Sequence, residues 1–218
     1  MSVPTLHTLV LPGPVQLEEA AADTPADTAA AAAFALWRAA GTDDSRPVAL
    51  VVPRQWLRER GRPFAHGAAG LGMPAGRLIL VVVDQEAQAL WALEEALKSG
   101  AVAGAVGALA APPFVATRRL DFAAQIGRST GVLLRAGGAG DLSAARMRWS
   151  IRSTASAPHR FDARAPGPAR LRAELVRRRG GPPGGSWILE QDDETHRFGL
   201  AAGLADHGVV QSGQDAAA

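Results

Sequence analysis

The sequence predicts an α/β fold in which a mostly parallel sheet carries covering helices and gains antiparallel strands at its C-terminal end. Three observations carry the α/β part of this. Residues 77–109, RLILVVVDQEAQALWALEEALKSGAVAGAVGAL, read strand, helix, strand in about thirty residues, a βαβ unit whose crossover is right-handed. Short apolar runs at 48–52 and 131–134 repeat the signature of parallel strands buried on both faces. From Arg146 onward the hydrophobic period drops to two, the mark of antiparallel strands on a sheet edge.

Each element has its own local reason. Residues 1–23 mix Pro4, Pro12 and Pro14 with the run Leu9-Val10-Leu11, and an N-terminal arm or edge strand is expected there. Thr24 suits an N-cap, Pro25 the first helical position and Asp27 the third, which starts a helix running to about Ala40 with Ala33, Leu36, Trp37 and Ala40 on one face. A strand at 48–52 closes at Pro53, and a short helix over 55–60 turns Trp56 and Leu57 inward. Glycines, Pro63 and Pro74 make 61–76 a loop with room for one helical turn. The run at 78–83 is unbroken and β-branched, so a strand buried on both faces is expected. Asp84 follows as N-cap, Leu90, Leu93 and Leu97 line the inner face of a helix, and Gly100 supplies its left-handed end. After Pro112-Pro113, residues 117–126 form a helix with Arg119, Phe122, Ala123 and Ile126 at helical spacing, ended by Gly127. Alternating segments at 147–151 and 171–175, then 187–190, are the antiparallel strands. The core is therefore expected over 24–190, with a partly disordered C-terminal tail over 191–218.

Composition excludes several classes. With no cysteine in 218 residues there is neither a disulfide frame nor a thiolate metal site. The five histidines form no metal-ligand spacing. No charged-then-apolar leader opens the chain and no apolar run approaches the ~18 residues of a membrane span, so a cytoplasmic protein without a membrane partner is expected. Net charge is only +2, yet Lys98 is the single lysine among 23 basic residues. Arginine reads phosphate and carboxylate bidentately, which fits nucleic-acid or acidic-protein partners, while a GC-rich coding sequence explains the same bias.

The chemistry that an α/β sheet usually hosts is missing. A phosphate-binding loop needs GxxxxGK followed by Ser or Thr; no lysine precedes Lys98, which sits at a helix C-terminus, and Gly13 in LPGP is flanked by prolines. There is no GxSxG elbow and no catalytic carboxylate pair at strand ends, so no cofactor, no metal and no enzymatic activity are expected. Arg177, Arg178 and Arg179, read as part of a glycine-rich hairpin turn, are candidate phosphate contacts, although a solvated turn is the commoner outcome without aromatic stacking partners. The tryptophans at 37, 56 and 91 read as core or half-buried.

Taken together, the 77–109 segment, RRLDFAAQIGRSTGVLLR, RMRWSI, RLRAELVRRRGG and WILEQDDETHRFGLAAGLADH resemble the ImuA family over about residues 34–207. Members are encoded beside ImuB and an error-prone polymerase in bacterial DNA-damage cassettes, and are similar to the RecA core and to SulA cell-division inhibitors. By this resemblance Gly107 or Ala108 stands where RecA carries its magnesium-binding aspartate, and Gln55 or a neighbour stands where it carries its catalytic glutamate. The two DNA-binding loops of RecA are represented by shorter stretches near 110–117 and 136–140. The resemblance implies a RecA-like three-layer core without a phosphate loop and a non-catalytic accessory protein of SOS-induced translesion synthesis, with RecA, an ImuB-like Y-family protein and the error-prone polymerase complex as partners; any DNA contact is expected to be weak and to run through Arg177, Arg178 and Arg179. A SulA-like inhibitor of FtsZ is the alternative.

Within the C-terminal tail, residues 192–207 are not written like a disordered segment, whereas 208–218 are. Asp192, Asp193 and Glu194 form an acidic patch, followed by His196, Arg197 and Phe198; with Leu200 and Leu204 these residues are expected either to dock a partner or to fold back as a lid over the terminal hairpin.

Overall fold

The computed structural model describes residues 16–41, 44–69, 73, 75–136, 142–162, 164–181, 184–192 and 198–201. Its strands are β1 (Leu17–Ala22), β2 (Val48–Pro53), β3 (Leu78–Val83), β4 (Gly104–Ala108), β5 (Thr130–Ala136), β6 (Met147–Thr154), β7 (Arg170–Arg178), β8 (Ser186–Gln191) and β9 (Phe198–Leu200). Its helices are α1 (Thr28–Ala40), entered through a 3-10 turn at Pro25–Asp27, α2 (Arg54–Arg60), α3 (Ala65–Ala69), α4 (Glu86–Ser99) and α5 (Phe114–Gly127). These nine strands form one sheet in the order β3-β2-β4-β5-β1-β6-β7-β8-β9. The pairs from β3 to β6 are parallel, and β7, β8 and β9 extend the sheet antiparallel.

Two apolar layers hold the helices on. One face packs α1 and α2 through Phe34, Trp37, Trp56 and Leu57 against Leu50, Val106, Val132, Trp149, Leu175 and Leu189. The other packs α4 and α5 through Leu93, Leu97, Leu120 and Ala124 against Leu17, Val51, Ala105 and Leu133. The first layer is anchored by rings: Phe34 lies 5.3 Å from Trp149, Trp149 6.0 Å from Trp187, and Trp37 meets Phe198 edge-on at 5.9 Å. Such offset and edge-on contacts suit the ring quadrupoles. In the second layer α4 and α5 approach so closely that a Cβ at Gly127 would stand 1.8 Å from the Leu97 carbonyl oxygen. Only glycine fits there, and Arg128 beyond it takes the left-handed cap at φ 51°.

The structure corrects several expectations. The N-terminal arm over 1–23 fails at its end nearest the core: Leu17–Ala22 is an interior strand between β5 and β6 with every residue buried, and residues 1–15 lie outside the described residues. The 78–83 run is the sheet's first edge strand, not a strand buried on both faces, and Ile79 is 45 % exposed. Gln85, not Asp84, caps α4, with the Gln88 side-chain oxygen accepting from the backbone N–H groups of Asp84 and Gln85. Trp91 is exposed, as are Arg119, Phe122 and Ile126 on α5, whose buried side is Thr117, Leu120, Asp121, Ala123 and Ala124. The core does not end at Glu190, because β9 pairs with β8 and buries Phe198.

Candidate interaction surface

In open α/β sheets, ligands bind in the crevice at the carboxyl ends of the strands. Among the described residues, the segments at the ends of β1, β2 and β4 are held by their own side-chain and packing contacts. The turn between β1 and α1 is Asp23-Thr24-Pro25-Ala26-Asp27, a segment that carries two carboxylates and neither glycine nor lysine. One Asp27 oxygen accepts from the Thr24 hydroxyl at 2.7 Å and its N–H at 3.0 Å, and the other accepts from the Ser153 N–H on β6 at 2.7 Å. Asp23 pairs with Arg152. Fixed negative charge in this turn opposes phosphate rather than cradling it. At the end of β4, Gly107 packs against Leu93, whose Cδ1 would stand 2.2 Å from an added Cβ, and Ala108 is buried. Gln55, after β2, donates to Glu59 at 2.8 Å, while Arg54 pairs with Asp84 at 2.7 Å. Gly13 lies outside the described residues, and the turn that occupies the place of a phosphate loop is 23–27.

The interior of β1 carries an ionic arrangement that sequence reasoning missed. Glu18 and Glu19 are both buried, and because successive strand residues point to opposite faces they enter different layers. Glu18 accepts from Arg38 Nε at 3.0 Å and Nη2 at 2.5 Å, from Trp149 Nε1 at 3.1 Å and from Gln16 at 3.2 Å. Glu19 accepts from Arg148 Nε at 2.6 Å and Arg135 Nη1 at 3.5 Å. Two adjacent acidic residues in an alanine-rich segment were the available signal, with Arg38 on the inner side of a helix.

Burial alone raises the Glu18 carboxyl, but the charge and hydrogen bonds of Arg38, with those of Gln16 and Trp149, outweigh it and hold the group below the ordinary carboxylate range. Asp27 is also held low, first by the Thr24 hydroxyl and then by the Ser153 N–H. Both groups are depressed in the folded state. The stability they add is therefore fully present above the unfolded value of about 4 and is lost as pH falls through it toward the folded value. Thermal melts are expected to hold steady from pH 7 to about 5 and to drop steeply below about 4. A melting temperature unchanged down to about pH 3 would count against this.

The expected site residues do not come together as one patch. Arg177 lies within β7 rather than in the turn, and its Nη2 donates to the carbonyls of Ser143 at 2.9 Å and Ala145 at 2.6 Å. Arg178 ends the strand and Arg179 opens the turn, both exposed. Asp192 is exposed, whereas Asp193, Glu194, His196 and Arg197, like Leu204, lie outside the described residues. Phe198 is 8 % exposed and its ring is spent on Trp37, which removes it from any docking surface. Among the described residues no group of three or more His, Asp or Glu side chains is placed to hold a metal ion, and no helix is long and apolar enough to cross a membrane.

What is exposed instead is apolar and lies elsewhere. Among the described residues β3 is paired on one side only, by β2, and Ile79 on it is exposed. On the opposite layer Trp91, Val115, Phe122 and Ile126 face outward from α4 and α5. A shallow groove of about 350 Å³ runs between these helices past Ala87, Leu90, Trp91 and Ala116, bridged by the Arg119–Glu94 pair at 2.5 Å. Large apolar side chains exposed together on neighbouring helices are a feature of protein interaction sites.

Fold and site together define an α/β sheet protein with a carboxylate-bearing β1–α1 turn and exposed apolar side chains on α4 and α5. No protein-family model matches the chain. It is 42 % identical over 195 residues to Protein ImuA of Caulobacter vibrioides, in each of two strains, covering 84 % of this chain and 78 % of that protein. The chain belongs to the ImuA family. It is also 33 % identical over 82 residues to the cell division inhibitor SulA of Edwardsiella piscicida, covering 37 % of this chain and 48 % of that protein. The crystal structure of SulA from Pseudomonas aeruginosa superposes with a TM-score of 0.43 at 24 % identity, covering 56 % of this chain and 98 % of that one.

Proposed function

We propose that this protein is a non-catalytic, cytoplasmic adaptor of SOS-induced error-prone translesion synthesis that binds RecA, an ImuB-type Y-family protein or both, within an error-prone polymerase complex. The closure of the β1–α1 turn carries this reading: Asp23 and Asp27 occupy the place where a nucleotide-binding sheet protein needs glycines and a lysine. A fold of this architecture that gives up its nucleotide site has its surfaces left as its means of action. Edge strand β3 supports the partner-binding half, since a flat apolar edge free of proline and lysine is a template for strand addition. The acidic stretch Asp192-Asp193-Glu194, with His196 and Arg197, is the second contact in this reading.

The test joins both halves. Titration with a fluorescent ATP analogue and magnesium is expected to show no saturable binding in the micromolar range. The intact protein should retain RecA or the ImuB-type protein in a pull-down, and Ile79→Lys should lose that capture while melting normally, because Ile79 is exposed. Saturable micromolar nucleotide binding would overturn the non-catalytic reading. Capture of FtsZ with neither RecA nor the ImuB-type protein would favour the inhibitor activity named for the SulA relative, with which the chain shares local identity.

A further inference from the structure

Eight of the 23 basic residues, Arg46, Arg77, Lys98, Arg128, Arg146, Arg177, Arg178 and Arg179, lie along the amino edge of the sheet. Helices in a parallel α/β fold run opposite to the strands, so the C-termini of α1, α4 and α5 converge where β2, β4 and β5 begin. Arg46 marks that junction, donating to the Gly100 carbonyl after α4 at 2.8 Å and to the Arg128 carbonyl after α5 at 3.0 Å. Arg77, just before β3, reaches the same place by donating to the carbonyls of Asp44 at 2.6 Å and Arg46 at 2.8 Å. Beyond β1, the end of β7 returns to this edge: Arg178 pairs in register with Met147 at the start of β6, and the Arg179 N–H bonds to the Arg146 carbonyl.

Two carboxylates balance part of this charge, Asp44 against Arg46 and Asp121 against Arg146. Arg77, Lys98, Arg128, Arg177, Arg178 and Arg179 have no carboxylate ion pair among the described residues. The structural alternative is that these cations only neutralise the negative helix ends. Three helix ends supply about −1.5 charges in all. Asp43 and Asp141, outside the described residues, can lower the excess by no more than two. About two or more positive charges remain after both corrections. Six strand intervals separate β3 from β7, so the row extends roughly 29 Å.

We infer that this amino edge is a binding surface for the phosphate backbone of duplex nucleic acid, a reading independent of the adaptor proposal. Guanidinium forks favour phosphate oxygens, and a row of that length matches about eight base pairs of duplex. No aromatic side chain lies among the described residues of these edge segments to stack an unpaired base, which disfavours single strands. The surface lies at the opposite ends of the strands from the closed 23–27 turn.

The experiment is fluorescence anisotropy of a labelled duplex of about twenty base pairs with the full chain across a salt series. Sequence-independent binding is expected at low salt, weakening by about 0.9 log units per decade of salt for each phosphate contacted. Two double reversals sample distant parts of the row, Arg178→Glu with Arg179→Glu, and Lys98→Glu with Arg128→Glu. Each is expected to weaken binding about tenfold or more and to flatten the salt slope by about two. A control with the same charge change, Arg58→Glu with Arg62→Glu on and after α2, should stay within about twofold; melts of all three report folding. Equal losses in the control would reduce the effect to net charge and overturn the surface. Loss confined to the 178/179 pair would overturn the row in favour of the turn alone. Absence of duplex binding, or binding of a polyglutamate probe in its place, would give the edge to an acidic protein and overturn the nucleic-acid assignment.

Discussion

Replacing Glu18 by alanine is expected to destabilise the protein by about 3–5 kcal/mol, measured as a shift in the denaturant midpoint at unchanged slope. The magnitude comes from what is left behind. The side chains of Arg38 and Glu18 are 5 % and 1 % exposed, so the substitution takes the Glu18 carboxylate from a buried guanidinium and deprives the Trp149 indole N–H of its acceptor. A buried pair is weak evidence of stability in itself, because desolvation offsets most of its Coulomb energy. The informative variant is therefore the double replacement Glu18→Leu with Arg38→Met, which removes both charges and should recover most of the loss. If the single and double variants are equally unstable, cavity and packing terms dominate and the ionic account is wrong.

Truncation after Gln191 is the second large effect, with an expected loss of about 3–4 kcal/mol in the same measurement. The cut removes β9, whose residues Phe198–Leu200 pair with β8, and with it the ring that meets Trp37 edge-on. Burying one phenylalanine accounts for most of this, and the newly bared surfaces of Trp37 and Leu189 add to it. Phe198→Ala in the full chain separates the contributions, and should reproduce more than half of the loss while leaving Asp192–Arg197 in place. A truncated protein that melts within a few degrees of the parent would show that β9 is dispensable and return Phe198 to the candidates for docking. The lid that residues 198–200 form and the acidic stretch that precedes them are thus separable: one is packed in the core, the other is free to be tested in a pull-down.

Local signals in the chain were enough for the parallel part of the sheet from β2 to β5, the helices facing it and the antiparallel return of β7 and β8, whereas β6, expected to join antiparallel, runs parallel to β1. In each case the reason is near at hand in sequence: an apolar run bounded by glycine or proline, a helical repeat of leucines, or a period of two. The lack of a phosphate loop was legible in the same way, since that conclusion needs only the absence of lysine and glycine in the right spacing. The place of β1 was not legible, because it depends on distant contacts. Leu17-Glu18-Glu19-Ala20-Ala21-Ala22 has the composition of a helix or an arm, and it becomes an interior strand because Arg38, Arg148 and Arg135, far off in the chain, meet its two carboxylates from both faces. The edge position of 78–83 also came from the assembled sheet, because an apolar run reads the same whether one neighbouring strand or two lie beside it. The charged edge belongs to the same category. Arg77, Lys98, Arg128 and Arg178 are spread along a hundred residues, and only the antiparallel running of helices against strands, with the return of β7, brings them to one end of the sheet.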